Sequence, residues 1–411
     1  METNKIYDCI IIGCGASGLF AGCNFSNKID GLILESNKKP GRKILMSGGG
    51  SCNITHSGSI KEFADCYFDK GKKIRSLLYK HSNQEMMDFF QNEGLPLITR
   101  EDGKVFPASM IAGDVLNTLI NTATHKGFEI KTDSKVSGIM VIDDESDNHL
   151  FCVKTNSSLG QCSSYTSKNL VIATGGCSYP TTGSDGSIFS ILEETFGLTI
   201  EKPRPALSPI YVENYPYSTL SGISFENISC KVIRDGKEIA KETGPMIFTE
   251  NYFSGPAFLH LSRFCKPGDT LSINYIDTKD IGSWRKEMNA KLNDSKQAIH
   301  NQLAKALSFP KSFLSLICNT ESDRPSQITK RLTDDRFVID KVGGFNVAMA
   351  TAGGVSLTDV NMKTMELKNC KGAYIIGEAL DVDGRTGGYN IQFAYSSACT
   401  AAKNIDDDVS Q

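Results

Sequence analysis

Short apolar runs that stop at a glycine or an acid set the pattern of this chain. Ile10-Ile-Ile12 leads into Gly13, Leu32-Ile-Leu34 stops at Glu35, and Leu170-Val-Ile-Ala173 leads into Thr174-Gly175-Gly176. Runs apolar at every position predict strands covered on both faces, as in the middle of a parallel sheet, and the third strand should lie beside the first. Between them the period changes. Phe63, Ile74, Leu77, Leu78, Met86, Met87, Phe89 and Phe90 recur at helical spacing over 60–93, Ala112 to His125 reads as a further helix, and Phe128 to Ile142 as a strand pair.

From about Pro203 the pattern turns to short alternating strands, including Ile228 to Ile233 and Leu271 to Tyr275, with a turn at Asp235-Gly236. Asp280 to about Thr333 reads as helical, with Trp284, Met288, Leu292, Ile299, Leu303, Leu307, Phe313 and Leu316 as its apolar positions. Near Val338 the strand-and-glycine pattern of the start returns. The expected organisation is an α/β domain built from both ends of the chain, 1–198 and 336–411. An inserted domain occupies 199–335, β-rich to about 276 and helical from about 277.

The first apolar run carries the first chemistry. In Gly13-Cys-Gly15-Ala16-Ser17-Gly18, Gly13 allows a sharp turn, Gly15 a close backbone approach to a pyrophosphate, and Gly18 tight packing of the next helix on the strand. The N–H groups and positive end of that helix then face phosphate. Glu35 follows Gly15 by 20 residues, where a carboxylate accepts hydrogen bonds from ribose hydroxyls and repels a 2′-phosphate. This predicts a site for FAD or NAD rather than NADP.

The segment Gly377-Glu378 to Gly387-Gly388-Tyr389-Asn390-Ile391 has the order strand, Gly-acid, loop, Gly-Gly, helix. In a flavin site such an acid reaches a ribityl hydroxyl. The N-terminus of the following helix sets N–H donors and a positive dipole beside N1 and O2 of the isoalloxazine, where reduction places negative charge. NAD alone requires no second site of this kind, so the pairing favours FAD.

With these residues in view the chain resembles the BaiN/YhiN-type bacterial flavoproteins, NAD(P)/FAD-dependent oxidoreductases, over nearly its whole length. The resemblance rests on Gly41-Arg42-Lys43-Ile-Leu-Met-Ser47-Gly48-Gly49-Gly50-x-Cys52-Asn53, on Ala173-Thr174-Gly175-Gly176 through Tyr179-Pro180 to Gly186, on Ala352-Gly-Gly-Val355, and on Gly377-Glu378 through Asn390. It implies a Rossmann-like FAD-binding domain in two halves around a β-barrel-like and helical insertion. It also adds Ser36, Arg42, Lys43, Ser47 to Gly50, Cys52, Asn53, Val136 and Ala173 to Gly175 to the expected cofactor-binding set. The chain departs from the family pattern at Ser51, usually basic, and at His56, commonly Asn. The implied activity takes hydride from NAD(P)H through flavin to a small organic acceptor, by analogy with the bile-acid-linked members an enone-type C=C bond of a steroid-like substrate. Tyr179 is the candidate catalytic proton donor. No second complete glycine fingerprint exists, so Gly175-Gly176 with Gly183-Ser-Asp-Gly186 is only a loose nicotinamide candidate. A flavin-binding regulatory or structural protein is the rival reading.

Composition narrows the partners. The net charge is −3, from 44 basic and 47 acidic residues, without the basic excess that nucleic-acid binding generally uses, so an RNA-modifying flavoenzyme is disfavoured. Small-molecule partners are expected, and neither nucleic acid nor membrane; the oligomeric state is left open. Thirteen cysteines contain no Cys-x-x-Cys pair, which argues against a disulfide framework, a zinc site or a dithiol at Cys52. None of the six histidines has metal-site spacing. The start leads directly into the first strand, so no signal peptide is expected and the protein is expected in the cytoplasm.

Overall fold

The computed structural model describes residues 5–26, 29–143, 149–293, 298–318 and 324–409. The sheet is ordered around the first apolar run. Strand β1 (Ile6–Ile12) is followed by α1 (Ala16–Cys23), β2 (Gly31–Leu34), α2 (Ala112–His125) and β3 (Phe128–Lys131), then by β4 (Cys162–Ile172), β5 (Cys370–Ile375) and α3 (Tyr389–Val409). The order across the sheet is β5-β4-β1-β2-β3, and all four pairings are parallel. Ile10 lies opposite both Leu32 and Leu170, and Ile12 opposite Leu34 and Ile172. Strand order reverses at β1, so a crevice opens beyond the carboxyl ends of β1 and β4, where ligands of such sheets bind.

Packing explains the small residues. A Cβ on Gly31 would lie 2.4 Å from the Phe128 ring, and one on Gly22 would lie 3.1 Å from Ala123 Cβ, so β2 and α1 seat directly on the β3 and α2 side chains. On the other flank of α1, Phe20 meets Tyr395 of α3 edge-on at 5.2 Å. Ile10, Ile11, Leu32, Ile33 and Val171 are fully buried. Each such side chain contributes roughly 2 kcal/mol through area removed from water.

Two compact units divide the chain. One comprises the residues up to Arg204 and from Met349 onward; the other is Pro205–Ala348. The second unit holds a closed six-stranded barrel of Ile210–Val212, Ser224–Arg234, Lys237–Phe248, Phe253–Ser254, Thr270–Asn274 and Asp335–Val342. Helices Ile281–Asn293, Ile299–Ala306, Lys311–Ile317 and Pro325–Thr333 accompany it. The barrel interior is aromatic: Phe225 and Phe313 lie 4.9 Å apart, Tyr217 and Phe248 4.6 Å. Among these rings sits Asp335, which accepts hydrogen bonds from the Tyr217 and Tyr275 hydroxyls. Burial pushes its carboxyl up to about 6.

Two readings of the pattern change. Val338 belongs to the strand Asp335–Val342, which closes the barrel, so the first-unit pattern returns only at Ala350–Val355. The barrel strand is half-exposed and alternating, whereas Ala350–Val355 is buried at every position. Phe128–Lys131 and Lys135–Asp143 do not pair with each other. The first extends the parallel sheet and the second pairs antiparallel with His149–Asn156.

Candidate functional site

The turn after β1 is dictated by close contacts. Gly13 has φ +106°, and a Cβ there would fall 2.5 Å from the Ala173 carbonyl oxygen; a Cβ on Gly18 would fall 1.9 Å from the Gly13 oxygen. Gly15 is the residue before α1, and a Cβ on it would meet nothing within 4 Å. Ala16 and Ser17 form the first turn of α1, and Ser17 Oγ abuts Gly377, where a Cβ would sit 2.4 Å away. The glycines close the turn on its protein side and leave it open on the other.

Glu35, nearly fully buried, caps β2. Its Oε2 accepts from the Cys14 N–H at 3.1 Å, and its Oε1 from the N–H and side-chain amide of Asn37, both at 2.8 Å. The Ser36 hydroxyl adds a longer bond at 3.3 Å. A carboxylate offers about four acceptor positions, so one remains on Oε2. Asn37 also donates to the Thr182 carbonyl at 2.9 Å and accepts from Arg42 at 3.1 Å, fixing the 180s turn against the β2 end.

A second cluster draws together residues far apart in the chain. Lys43 Nζ donates to Glu378 Oε2 at 3.0 Å and to Ser178 Oγ at 3.1 Å. Glu378 Oε1 accepts from Ser178 Oγ at 3.0 Å and from the Thr351 N–H at 2.7 Å. Thr351 Oγ1 in turn accepts from the N–H groups of Cys177 and Ser178, at 2.8 and 3.0 Å. The Glu378 carboxylate, expected to reach a ribityl hydroxyl, thus already has three protein donors. An ammonium has three hydrogens, and two of those on Lys43 are engaged. Beside this cluster Thr174 Oγ1 is buried and without a hydrogen-bond partner among the described residues. Buried hydroxyls rarely stay unpaired, so this one fits a group supplied by a ligand.

The third part is the loop Ser47–Asn53 with the start of α3. Gly48, Gly49 and Gly50 all have positive φ, and a Cβ on Gly49 would meet nothing within 4 Å, so this exposed glycine stretch offers bare backbone. Asn53 donates to the Thr55 carbonyl at 2.9 Å and accepts from the Gly388 N–H at 3.1 Å. Gly387 and Gly388, at φ +118° and +92°, allow that approach; a Cβ on Gly388 would strike Thr55 Cα at 2.6 Å. The Asn390 side chain bonds both ways to Gly384, and the Tyr389 ring stacks on His56 at 5.7 Å. Ile391 follows, partly buried.

The remaining expected residues are placed as follows. Cys52 is buried, and burial pushes its thiol up to about 11, so it packs as a neutral side chain. All thirteen cysteines are free, and no group that could hold a metal ion occurs among the described residues. Tyr179 sits in a left-handed turn before Pro180–Thr182, half-buried, with no hydrogen bond to its hydroxyl among the described residues. Val136 pairs with Thr155 at the edge of the sheet and packs on the core; the backbone joins its neighbourhood to the site through Ser134 N to Glu35 O at 2.8 Å. The geometry adds Asn37, Ser178 and Thr351, which residue patterns did not single out, and pairs Asp381 with Lys70 at 2.5 Å. The signal for Asn37, Ser178 and Thr351 was proximity in sequence, since each stands within or beside a quoted motif or Glu35.

Over residues 7–404 the chain matches the model of the HI0933-like protein Rossmann domain. It is 31% identical to "Ribosomal RNA dihydrouridine synthase" of Haemophilus influenzae, covering 96% of this chain and 98% of that one. It is 27% identical to "3-dehydro-bile acid delta(4,6)-reductase" of Clostridium scindens, covering 96% and 97%. The fold also matches the crystal structure of 3-ketosteroid-delta4-(5alpha)-dehydrogenase from Rhodococcus jostii, with a TM-score of 0.50 at 13% identity over 98% of both chains. No described helix is long and apolar enough to cross a membrane. A parallel sheet with a glycine turn at its switch point, a closed six-stranded barrel and a match over almost the full length agree, and the chain belongs to the HI0933-like Rossmann flavoprotein family.

Proposed function

We propose that the chain binds FAD at the carboxyl edge of β1 and β4 and reduces a C=C bond conjugated to a carbonyl, with NAD(P)H as the hydride source. The observation that carries this reading is the convergence of the β1 glycine turn, Glu35, Lys43, Thr174 and the Gly388–Tyr389 helix start on one edge of one sheet. Gly13 to Gly18 and the start of α1 would hold the diphosphate, and the remaining acceptor position on Glu35 one ribose hydroxyl. The Thr174 hydroxyl and the third hydrogen of Lys43 are then the free donors for the cofactor. The start of α3 lies where N–H groups and a positive dipole favour negative charge.

When bound, FAD supplies two-electron hydride transfer between a nicotinamide and an organic acceptor. The chain supplies position and protons. Asn53 holds Gly388 and Asn390 holds Gly384, Lys43 and Ser178 hold Glu378 in one orientation, and Tyr179 offers an unengaged phenol as the acid that protonates the carbon next to the carbonyl.

The names of the two curated relatives support the acceptor class. A bile-acid delta(4,6) reduction and the conversion of uridine to dihydrouridine both saturate a C=C bond conjugated to a carbonyl. A steroid-like enone is the first reading, supported by a net charge of −3 that gives no general attraction for phosphate. The uracil ring of ribosomal RNA is the second, supported by the 31% identity over nearly the whole chain.

Anaerobic stopped-flow absorbance of the purified protein with NADH and with NADPH tests the donor. Bleaching of the oxidised-flavin band by either supports turnover; no bleaching by either removes the nicotinamide and favours the non-catalytic alternative. Reoxidation of the reduced protein by a 4-en-3-one steroid or by unmodified ribosomal RNA, with the mass gain of two hydrogens in the product, then selects the acceptor. Failure of both removes the proposed acceptor class.

A further inference from the structure

We propose that the second unit carries a binding site for a small organic cation, an alkylated ammonium with a flat apolar body. A cleft of about 610 Å3 opens there, lined by Ser224–Asn227, Tyr275–Thr278, Trp284 and Ala306–Pro310. The volume falls within the usual range for small-molecule sites. It involves no residue of the sheet-edge site and stands whether or not the flavin reading holds.

Four aromatic rings line the cleft: Phe225, Tyr275, Trp284 and Phe309. Three are locked together, Phe225 lying 5.5 Å from Tyr275 and 5.0 Å from Phe309. The Tyr275 hydroxyl is tied to Asp335 at 3.0 Å, so its ring is held from below. Trp284 packs against the core yet stays half-exposed to the cleft. The walls are therefore preformed, and a ligand would not have to order them.

Charge selects the ligand. Glu226 and Asp277 stand at the rim, exposed, and neither makes an ion pair among the described residues. Asp277 Oδ2 accepts from the Asn227 amide at 2.7 Å, which aligns one carboxylate. No Lys, Arg or His lines the cleft. Two unpaired carboxylates over aromatic walls repel nucleotides and other anions, and a neutral ligand would use the rings alone. A cation uses both, because ring faces and carboxylates attract positive charge and Trp is the strongest such ring.

Trp284 is the only tryptophan in the chain, so its emission reports this cleft alone. The flavin-loaded protein is titrated with benzyltrimethylammonium and, in parallel, with its neutral isostere neopentylbenzene. The expected result is a saturable change in Trp284 emission with the cation, weakened by added salt, and about tenfold weaker binding of the isostere. The double variant Glu226→Gln/Asp277→Asn should lose about tenfold in affinity for the cation, and Trp284→Phe should retain weaker binding by calorimetry. Linear, unsaturable quenching, equal affinity for the isostere, or a double variant that binds as the wild type would each overturn the site. Should the double variant fail to fold, the isostere and salt series on the wild type still decide.

Discussion

The two units use opposite means to specify structure. In the first, single atoms decide: no side chain fits at Gly13 or Gly18, and polar groups from positions 43, 178, 351 and 378 interlock. In the second, bulk decides. A barrel is filled with rings in mutual contact, and the acid placed among them, Asp335, is satisfied by two tyrosines. A surface built to hold a flat, charged ligand must spend side-chain volume on access. A barrel interior that only closes on itself can fill the space.

The sharpest way to break this contrast is Gly18→Ala, whose Cβ would lie 1.9 Å from the Gly13 oxygen. We expect no flavin to survive purification and hydrogen-exchange protection to fall in the first unit alone. A yellow variant with normal flavin content would show that the turn tolerates bulk after all. Next comes Phe313→Ala, which removes a ring touching Phe225 and Tyr275 and should cost about 3–5 kcal/mol. Exchange should then rise in Pro205–Ala348 while flavin content holds; loss of both together would mean that the two units lose structure as one.

Asp335→Asn comes third. The folded barrel prefers this carboxyl protonated, so the native state binds more protons than the unfolded chain between the ordinary aspartate value and about 6. Wild-type stability from this group therefore falls as pH rises through that window, by roughly 3 kcal/mol in all, and is flat above it. Asp269, held low chiefly by its hydrogen bonds to Arg234, acts in the opposite direction but is common to both proteins. The advantage of the variant over the wild type, read from urea melts, should grow from pH 4 to pH 6; a constant difference would mean that Asp335 does not titrate there. The smallest effect is expected for Lys43→Met, which leaves Glu378 with two donors. Flavin affinity should drop about tenfold, with only a few degrees lost in thermal stability. Unchanged affinity would reduce the Lys43 cluster to a structural tie.

Much of the first unit could be read from the chain because its constraints are local. An apolar run, glycines at fixed offsets and an acid 20 residues on are all adjacent in sequence, and the structure puts them in parallel register. What escaped was long-range. Thr351 and Ser178 look like ordinary polar residues until folding brings them to Glu378. Val338 was misplaced because a half-buried barrel strand and a sheet strand share apolar residues over so short a stretch. In Asp335, neither acid nor neighbours betray burial in sequence; only closure of the barrel puts two tyrosine hydroxyls on it.

The Lys43–Glu378 pair also imposes an order on synthesis. Its partners are separated by 335 residues, which at cellular elongation rates means roughly 20 to 60 seconds between their appearances. Pro205–Ala348 is complete 30 residues before Glu378 appears, while β4 still lacks β5 as its neighbour and the start of α3 does not exist. The nascent chain thus carries a fully synthesised barrel together with an unfinished sheet, and Glu378 reaches Lys43 only after the whole barrel has been made.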